Sequence, residues 1–481
     1  MTALTRRVVV VGAGSAGCLV AARLSKEPHL SVVLLEDGPD HSTESVDAKL
    51  SSWNWLDALE ATEAFVPDLT ARRHVTDLPR QYRRGRGLGG TALLNAMIAM
   101  PGLPADYDRW ASEFGLSDWS WKKVGPVFTK LEHDLMVAPH ASLTPLDKAL
   151  LSAAPELGLE NDVDLLGADD GAGRLWLNAV QGRRHSSRER YLKPAMRSGR
   201  LDVRPGARVD RIIVRDGTAT GIRLVDGSEV DADLVVLCAG ALETPAILLR
   251  SGSSRPGVGS NLLDHPSVSI LLKLREGFRI VDRAKPTIGA ALRVSSTSGQ
   301  SDLHLLPVHG LPAGIPGGFD GRIIIELMAA ESSGTVRLTS SDGCQPPSVE
   351  QRMLGTARDR AAMREGVDLA MRLLETDEFA RVVSEACVDD AGTHAHRLRD
   401  EDFYQSWVTS SLSGAHAGGT ARMGTVEDPQ AVLDGRGKII GWDNCWVIDA
   451  SAMPVVPTAN PHLPILMLAT RLAEYLIEDI A

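Results

Sequence analysis

Arg7-Val-Val-Val-Val-Gly-Ala-Gly-Ser-Ala-Gly17 is the stretch that decides the fold of this chain. Arg7–Val11 is apolar without polar alternation, which predicts a strand buried on both faces. Gly12 permits the tight turn that follows, and Gly14 lets a backbone approach a pyrophosphate. Gly17 allows close helix–strand packing. Ser15 and Ala16 complete the turn, and Cys18–Ser25, with Leu19, Val20, Ala22 and Leu24, reads as a helix. Its free N–H groups and positive end face the phosphates. A second apolar run, Val32–Leu35, ends in Glu36, nineteen residues past Gly17. A carboxylate there accepts from ribose hydroxyls. It would repel the 2′-phosphate of NADP, and it leaves NAD and FAD open.

The bulk of the chain bounds what else it does. At 481 residues there is room for at least two cores. A formal charge of −11 with no offsetting basic run argues against a nucleic-acid partner. The cluster Arg83-Arg84-Gly-Arg86 belongs instead to a glycine-dense loop. The five cysteines are widely spaced and form no C-x-x-C pair, as free thiols in a reducing, cytoplasmic compartment would be. Arg6-Arg7 is not read as an export signal, because the apolar segment behind it is the nucleotide-binding strand. No stretch approaches 18 apolar residues, so no membrane span is expected.

Further nucleotide-domain pieces recur along the chain. Gly85-Arg-Gly-Leu-Gly-Gly-Thr-Ala-Leu-Leu-Asn95 is a glycine-rich loop running into an apolar segment. Strand-like runs at Leu201–Arg204, Ala207–Val214, Gly221–Leu224 and Leu234–Cys238 lead through Ala239-Gly240 into a helix at Thr244–Arg250. Cys445-Trp-Val-Ile-Asp449 reads as a strand ending in an acid, before a helix at Ile465–Ile477. The division expected is 1–100, 200–265 and 429–481 for the nucleotide domain, with 101–199 and 266–428 forming a second.

Together these segments resemble the glucose-methanol-choline family of flavoprotein oxidoreductases. Gly85–Asn95 with Met97 and Ala105–Trp110 is similar to its first signature. Gly240-Ala-Leu-Glu-Thr-Pro245 with Ser251-Gly252 is similar to its second, one residue short in spacing. Pro256–His265, His416–Gly424 and Val447–Pro454 extend the likeness. The resemblance implies an α/β fold: a discontinuous FAD-binding, Rossmann-like domain with an inserted α+β substrate domain built on an antiparallel sheet. It implies FAD contacts from Gly12, Gly14, Ser15, Ala16, Gly17, Glu36, Arg86, Leu88, Gly89, Gly90, Thr91, Asn95, Ala96, Met97, Ile98, Val209, Ala239, Asp449, Ala450, His462 and Leu463. Some members anchor the flavin covalently through a histidine before the signature asparagine. Here that position is Leu94, so FAD is expected to be held non-covalently. The chain length and the Pro461-His462 pair are similar to compact actinobacterial members.

Alcohol oxidation on a flavin sends the hydroxyl proton to a base and a hydride to flavin N5. Histidine suits the first task, since its ordinary pKa of ~6.5 lies near working pH. His416 sits in Ser413-Gly-Ala-His-Ala-Gly-Gly419, a loop of small residues suited to close approach to a flat ring. His462 opens an apolar helix, whose amides would stabilise an anionic flavin edge. By resemblance His416 is the base and His462 its partner, with Asn460 a rival for that second role. His265 reads as a structural hydrogen-bonding residue. His394-Ala-His396 beside Asp389-Asp390 lacks a third ligand, so no metal is expected. Trp53-Asn-Trp55 and Trp119-Ser-Trp121 read as half-buried alternation before they read as an aromatic pocket.

The leading expectation is an FAD-dependent oxidoreductase acting on the CH–OH group of a small or medium alcohol. Its electron acceptor (oxygen, a quinone or another redox carrier) is written in no motif. The lack of an export signal leans the reading towards a dehydrogenase. The alternatives are an FAD-containing lyase of the hydroxynitrile lyase type and a non-catalytic flavin-binding protein.

Overall fold

The computed structural model describes residues 5–139, 142–280, 286–311 and 318–480. The opening strand, Arg6–Val11, is the middle of a five-stranded parallel sheet. The order across the sheet is Leu201–Pro205, Leu30–Glu36, Arg6–Val11, Leu234–Leu237 and Cys445–Val447. Val8 pairs with Val32 on one side and Leu234 on the other. Val8, Val9 and Val10 are completely buried, as an unalternating valine run in a sheet covered on both faces must be. Helices Ser15–Leu24, Gly240–Arg250 and His462–Ile480 supply much of that cover. The last begins three residues before the sequence expectation. Pro464 lies in its first turn, where a missing N–H costs nothing.

Val209–Arg215, Thr218–Leu224 and Glu229–Asp231 form a three-stranded antiparallel sheet beside this unit. The second body is a six-stranded antiparallel sheet. Its order is Val383–Cys387, Ser267–Leu274, Gly321–Leu327, Leu303–His309, Ala290–Val294 and Gly171–Arg174. Period-two alternation gives this sheet two different faces. Val268, Ile270, Leu303, Leu305, Ile323 and Ile325 enter one core with residues of helices Pro145–Ala153, Ala357–Leu374 and Glu401–Ser411. The residues between them, including Ser267, Ser269, Leu306, Val308, Arg322, Ile324 and Glu326, line a cavity against the nucleotide side.

The cores do not follow the expected division at every boundary. Tyr107, Trp110, Trp119, Phe128 and Leu131, placed by sequence in the second domain, are packed in the core of the parallel sheet. Ala421 and Met423 join the same core. Aromatic side chains of Pro104–Glu113 and Trp121–Asp134 pack edge to face, Tyr107 to Trp110 at 5.3 Å and Tyr107 to Phe128 at 5.4 Å. Trp119 reaches Tyr475 of the C-terminal helix at 6.4 Å. We therefore propose that the nucleotide domain runs on through Val137, and that the inserted domain starts near Pro145. No helix among the described residues is long and apolar enough to cross a membrane.

Candidate active site

One cavity of about 670 Å³ runs between the two bodies. Its nucleotide end is built from a glycine turn and a set of paired charged side chains. Gly12 has φ +97°, and an added Cβ would lie 2.5 Å from the Cys238 carbonyl oxygen. A Cβ on Gly17 would fall 1.8 Å from the Gly12 oxygen. Gly14, by contrast, faces open space.

Glu36 stands at the end of its strand and lines the cavity, 7% exposed. Its two oxygens accept from Ala13 N–H at 2.8 Å, Gly38 N–H at 2.9 Å and Gly87 N–H at 3.0 Å. The carboxylate thus ties three loops together, and any ribose bond would be additional to these. Burial pushes its pKa up against the pull of those amides. Arg86 grips Asp37, with Nε donating to Oδ2 at 2.8 Å, and Arg208 donates to the same oxygen at 3.2 Å. Sequence reading missed Asp37 and Arg208, which no motif contains.

The predicted cofactor residues fall into two groups. Gly12, Gly14, Ser15, Ala16, Glu36, Arg86, Gly90, Thr91, Asn95, Ala96, Ile98, Val209, Ala239, Asp449, Ala450 and His462 line the cavity. Gly17, Leu88, Gly89, Met97 and Leu463 are not among its lining residues. Gly89 has φ +114°, and Met97 is held at φ +61°, a conformation unusual for a branchless long side chain. Leu463 is fully buried in the core. Asp449 lies in the wall, yet its carboxylate is occupied by Gly240 N–H at 2.8 Å, Thr244 Oγ1 at 2.6 Å and the Ser451 hydroxyl and amide. Arg184, also missed by sequence, donates to the Asn95 carbonyl at 2.7 Å and fixes the signature loop. Burial lowers the Arg184 pKa to about 9.

At the other end stand the histidines. His416 Nδ1 lies 2.9 Å from Nδ1 of His265, and its Nε2 is 3.3 Å from the Asn460 amide nitrogen. The backbone N–H groups of His416 and His265 both donate to Asp264 Oδ1, at 2.7 and 2.9 Å. Tyr82 and Gln351 hold the other oxygen at 2.8 and 2.7 Å. Asp264 therefore ties the two histidine backbones together. Burial, assisted by Arg84 and His304, lowers the His416 pKa to about 3. Burial and His416 do the same to His265, also to about 3. The ordinary value near 6.5 expected for His416 is thus not what this environment produces.

His462 is turned another way. Its Nδ1 is 3.1 Å from the Ser15 hydroxyl, its Nε2 has no partner, and burial lowers its pKa to about 4. Asn460, and not His462, is bonded to His416. Leu94 presents only carbon to the cavity it lines. Trp55 is a lining residue, whereas Trp119 is a core residue with its N–H on the Gly435 carbonyl at 2.9 Å. His394 and His396 sit on an exposed turn with their Nδ1 atoms 2.8 Å apart.

The chain has counterparts among known proteins. The GMC oxidoreductase N-terminal profile matches residues 7–267, and the C-terminal profile matches 330–469. An uncharacterised GMC-type oxidoreductase from the thcA 5′ region of Rhodococcus erythropolis is 32% identical, covering 98% of each chain. A 5-(hydroxymethyl)furfural oxidase of Methylovorus sp. (strain MP688) is 30% identical, again over 98% of both chains. Pyridoxine 4-oxidase from Mesorbium loti superposes with a TM-score of 0.83 at 26% identity, covering 98% of this chain and 99% of the other. The matched segments span both bodies that enclose the cavity, and the chain belongs to the GMC oxidoreductase family of FAD-dependent enzymes acting on alcohol-type substrates.

Proposed function

We propose that this chain oxidises the CH–OH group of a small or medium alcohol, with His416 as the base and Asn460 as the group that aligns the substrate oxygen. The observation that carries this is an imidazole whose two nitrogens have different neighbours, His265 on one side and Asn460 with the cavity on the other.

The cavity fits FAD. Gly14 leaves open the space at the helix N-terminus that a pyrophosphate needs, and Glu36 lies where the ribose is expected. Asn460 Oδ1 and His462 Nε2 are buried without partners beside the same cavity, as atoms awaiting a flavin or substrate would be. When bound, FAD supplies the hydride acceptor, and Leu94 offers no atom for a covalent bond to it.

The chain's own residues handle the proton. The Nδ1–Nδ1 contact requires one imidazole to donate and the other to accept. If His416 carries its proton on Nδ1, His265 Nδ1 accepts it, and His416 Nε2 is left with a lone pair facing Asn460 and the cavity. That is the tautomer a base needs, and in this reading His265 is its orienting partner. Burial keeps His416 unprotonated at working pH, so every molecule is ready to accept. His265 is a positioning residue, acting through His416. His462 steadies Ser15 in the phosphate turn, and its unpartnered Nε2 is available to the flavin end of the cavity.

Relatives named for 5-(hydroxymethyl)furfural and for pyridoxine support a primary alcohol on a ring as the substrate type. The test is anaerobic mixing of holoenzyme with a panel of benzylic and aliphatic alcohols, following flavin absorbance in the visible. Bleaching by at least one benzylic alcohol is expected. A flavin that stays oxidised with the entire panel would overturn the assignment. Admitting air afterwards decides between oxygen and another acceptor: reoxidation slower than turnover, without peroxide, is the dehydrogenase outcome.

A further inference from the structure

The wall away from the histidines holds a guanidinium that pairs with no carboxylate among the described residues. Arg322 lies on strand Gly321–Leu327 and lines the cavity. Its cross-strand neighbours are Leu271 and Val308, both apolar. Among the described residues it makes no hydrogen bond and no ion pair, and its Nε is buried without a partner. A buried charge left unpaired is costly, and proteins keep one mainly where a ligand completes it. Trp55 packs by it, with the guanidinium carbon 5.7 Å from the ring centroid, and the indole N–H is likewise buried without a partner. Two unpartnered donors therefore share one corner of the cavity.

The neighbouring carboxyl does not cancel this charge. Glu326 also lines the cavity, four residues along the same strand, where the two backbones are roughly 13 Å apart at 3.3 Å per residue; its charge is felt by Arg322 but does not pair with it. No ion pair joins it to Arg322 among the described residues. Burial lifts the Glu326 pKa to about 7, while Arg322, lowered to about 10, stays cationic.

The register sets the direction. Glu326 pairs with Ser267, whose partner Ser413 leads into the His416 loop. Arg322 is thus the far end of the substrate wall and Glu326 the near end. We propose that Arg322, against Trp55, is a carboxylate-binding site, and that the substrates of this enzyme are alcohols carrying a carboxylate several bonds from the carbinol carbon, as across an aromatic ring. A carboxylate on the reacting carbon itself, as in an α-hydroxy acid, would lie too near the histidines to reach it. The guanidinium takes the carboxylate through paired N–H bonds, with the ring of the substrate lying along Ile324 and Leu306. This rests on the alcohol-oxidising reading, and deepens it.

Two ligand pairs test it. For turnover, 4-(hydroxymethyl)benzoate is compared with the isosteric 4-(hydroxymethyl)benzamide. For binding alone, 4-methylbenzoate is compared with 4-methylbenzamide by perturbation of the holoenzyme flavin spectrum. Wild-type enzyme is expected to favour the carboxylate of each pair by about 10–100-fold, the worth of hydrogen bonds to a charged group. R322M should erase that preference while leaving benzyl alcohol turnover within a few fold, and R322K should retain part of it. Equal or better binding of the amide by wild type overturns the proposal without needing a variant. So does a persisting preference in R322M, or a preference for the trimethylammonium or phosphate-ester analogue over the carboxylate. The binding pair needs no oxidation, so selective binding of 4-methylbenzoate without any bleaching by alcohols would sink the catalytic reading and leave the Arg322 site standing.

Discussion

The two ends of the cavity satisfy their polar groups in opposite ways. At the nucleotide end the charged side chains already have protein partners: Glu36 takes three backbone amides, Asp449 four donors, and Arg86 its Asp37. At the substrate end the reverse holds. Asn460 Oδ1, Arg322 Nε, Glu326 Oε2 and Trp55 Nε1 are buried without partners. A scaffold that must bind one invariant molecule is rigid before that molecule arrives. A face whose polar atoms wait for partners derives its stability and selectivity from what it binds. The contrast makes the first end tolerant of lost side chains but not of added ones, and the second the opposite.

The largest effect should come from adding one methyl group at the rigid end. Gly17→Ala forces a Cβ to within 1.8 Å of the Gly12 carbonyl oxygen, so the variant should lose FAD and most of its folded yield. Gly14→Ala meets no protein atom, so it should fold normally and lose affinity for FAD alone. Flavin content and thermal melts of the two variants measure this. A folded, flavin-replete Gly17→Ala would break the comparison.

Acid should undo the substrate end first. His265, His304 and His416 have pKa values lowered to about 3, and His462 to about 4. Unfolded imidazoles bind protons below about 6.5 while the folded ones stay neutral. Stability is therefore complete above about 6.5 and falls as pH drops towards 3–4. Each imidazole contributes at most about 1.4 kcal/mol per pH unit. Denaturant melts of the holoenzyme between pH 7 and 5 should show a steep loss, and a flat profile would contradict the burial of these rings.

Glu326 has the opposite sign. Its folded pKa is raised to about 7 from 4.5, so the folded state favours the protonated acid, and stability falls as pH rises from about 4.5 to 7. Glu326→Gln should remove that penalty, giving up to about 3 kcal/mol more stability than wild type at pH 8 and little difference at pH 4.5. Parallel denaturant melts at both values sharpen the contrast, and a variant equally destabilised at both would mean the carboxylate is paired after all.

His265 should matter kinetically more than structurally. His265→Ala should slow flavin reduction by roughly 10–100-fold, with FAD content retained. His265→Gln, which keeps an acceptor for His416 Nδ1–H, should recover part of the loss. A structural role alone would not produce that rescue or alter the pH profile of reduction.

How much of this the sequence revealed follows the same division. Gly12, Gly17 and Glu36 act through local spacing, so their motif located them, although the three amides that occupy Glu36 come from loops as distant as Gly87. His416 was found because it stands in a recognisable loop. Its partner His265 lies 151 residues away, and no spacing rule links them. The neutral form of His416 was equally hidden, since it depends on burial by the whole fold. Arg322 and Glu326 sit in Gly-Arg-Ile-Ile-Ile-Glu-Leu327, which reads as an ordinary strand until the sheet's other face is known. The aromatic helices at 104–134 looked like part of the inserted domain because their core partners, such as Tyr475, are at the far end of the chain.

The most direct test of the account is anaerobic stopped-flow reduction of the His416→Ala holoenzyme by a substrate that bleaches wild type, measured across pH beside Asn460→Ala and His462→Ala. His416→Ala should be reduced about 10²–10⁴-fold more slowly, with FAD retained, and Asn460→Ala should lose more rate than His462→Ala, whose side chain bonds Ser15. Since His416 is neutral down to about pH 3, the wild-type rate should show no acid limb near pH 6.5. Wild-type-like reduction by His416→Ala would contradict the account and move the base elsewhere in the cavity.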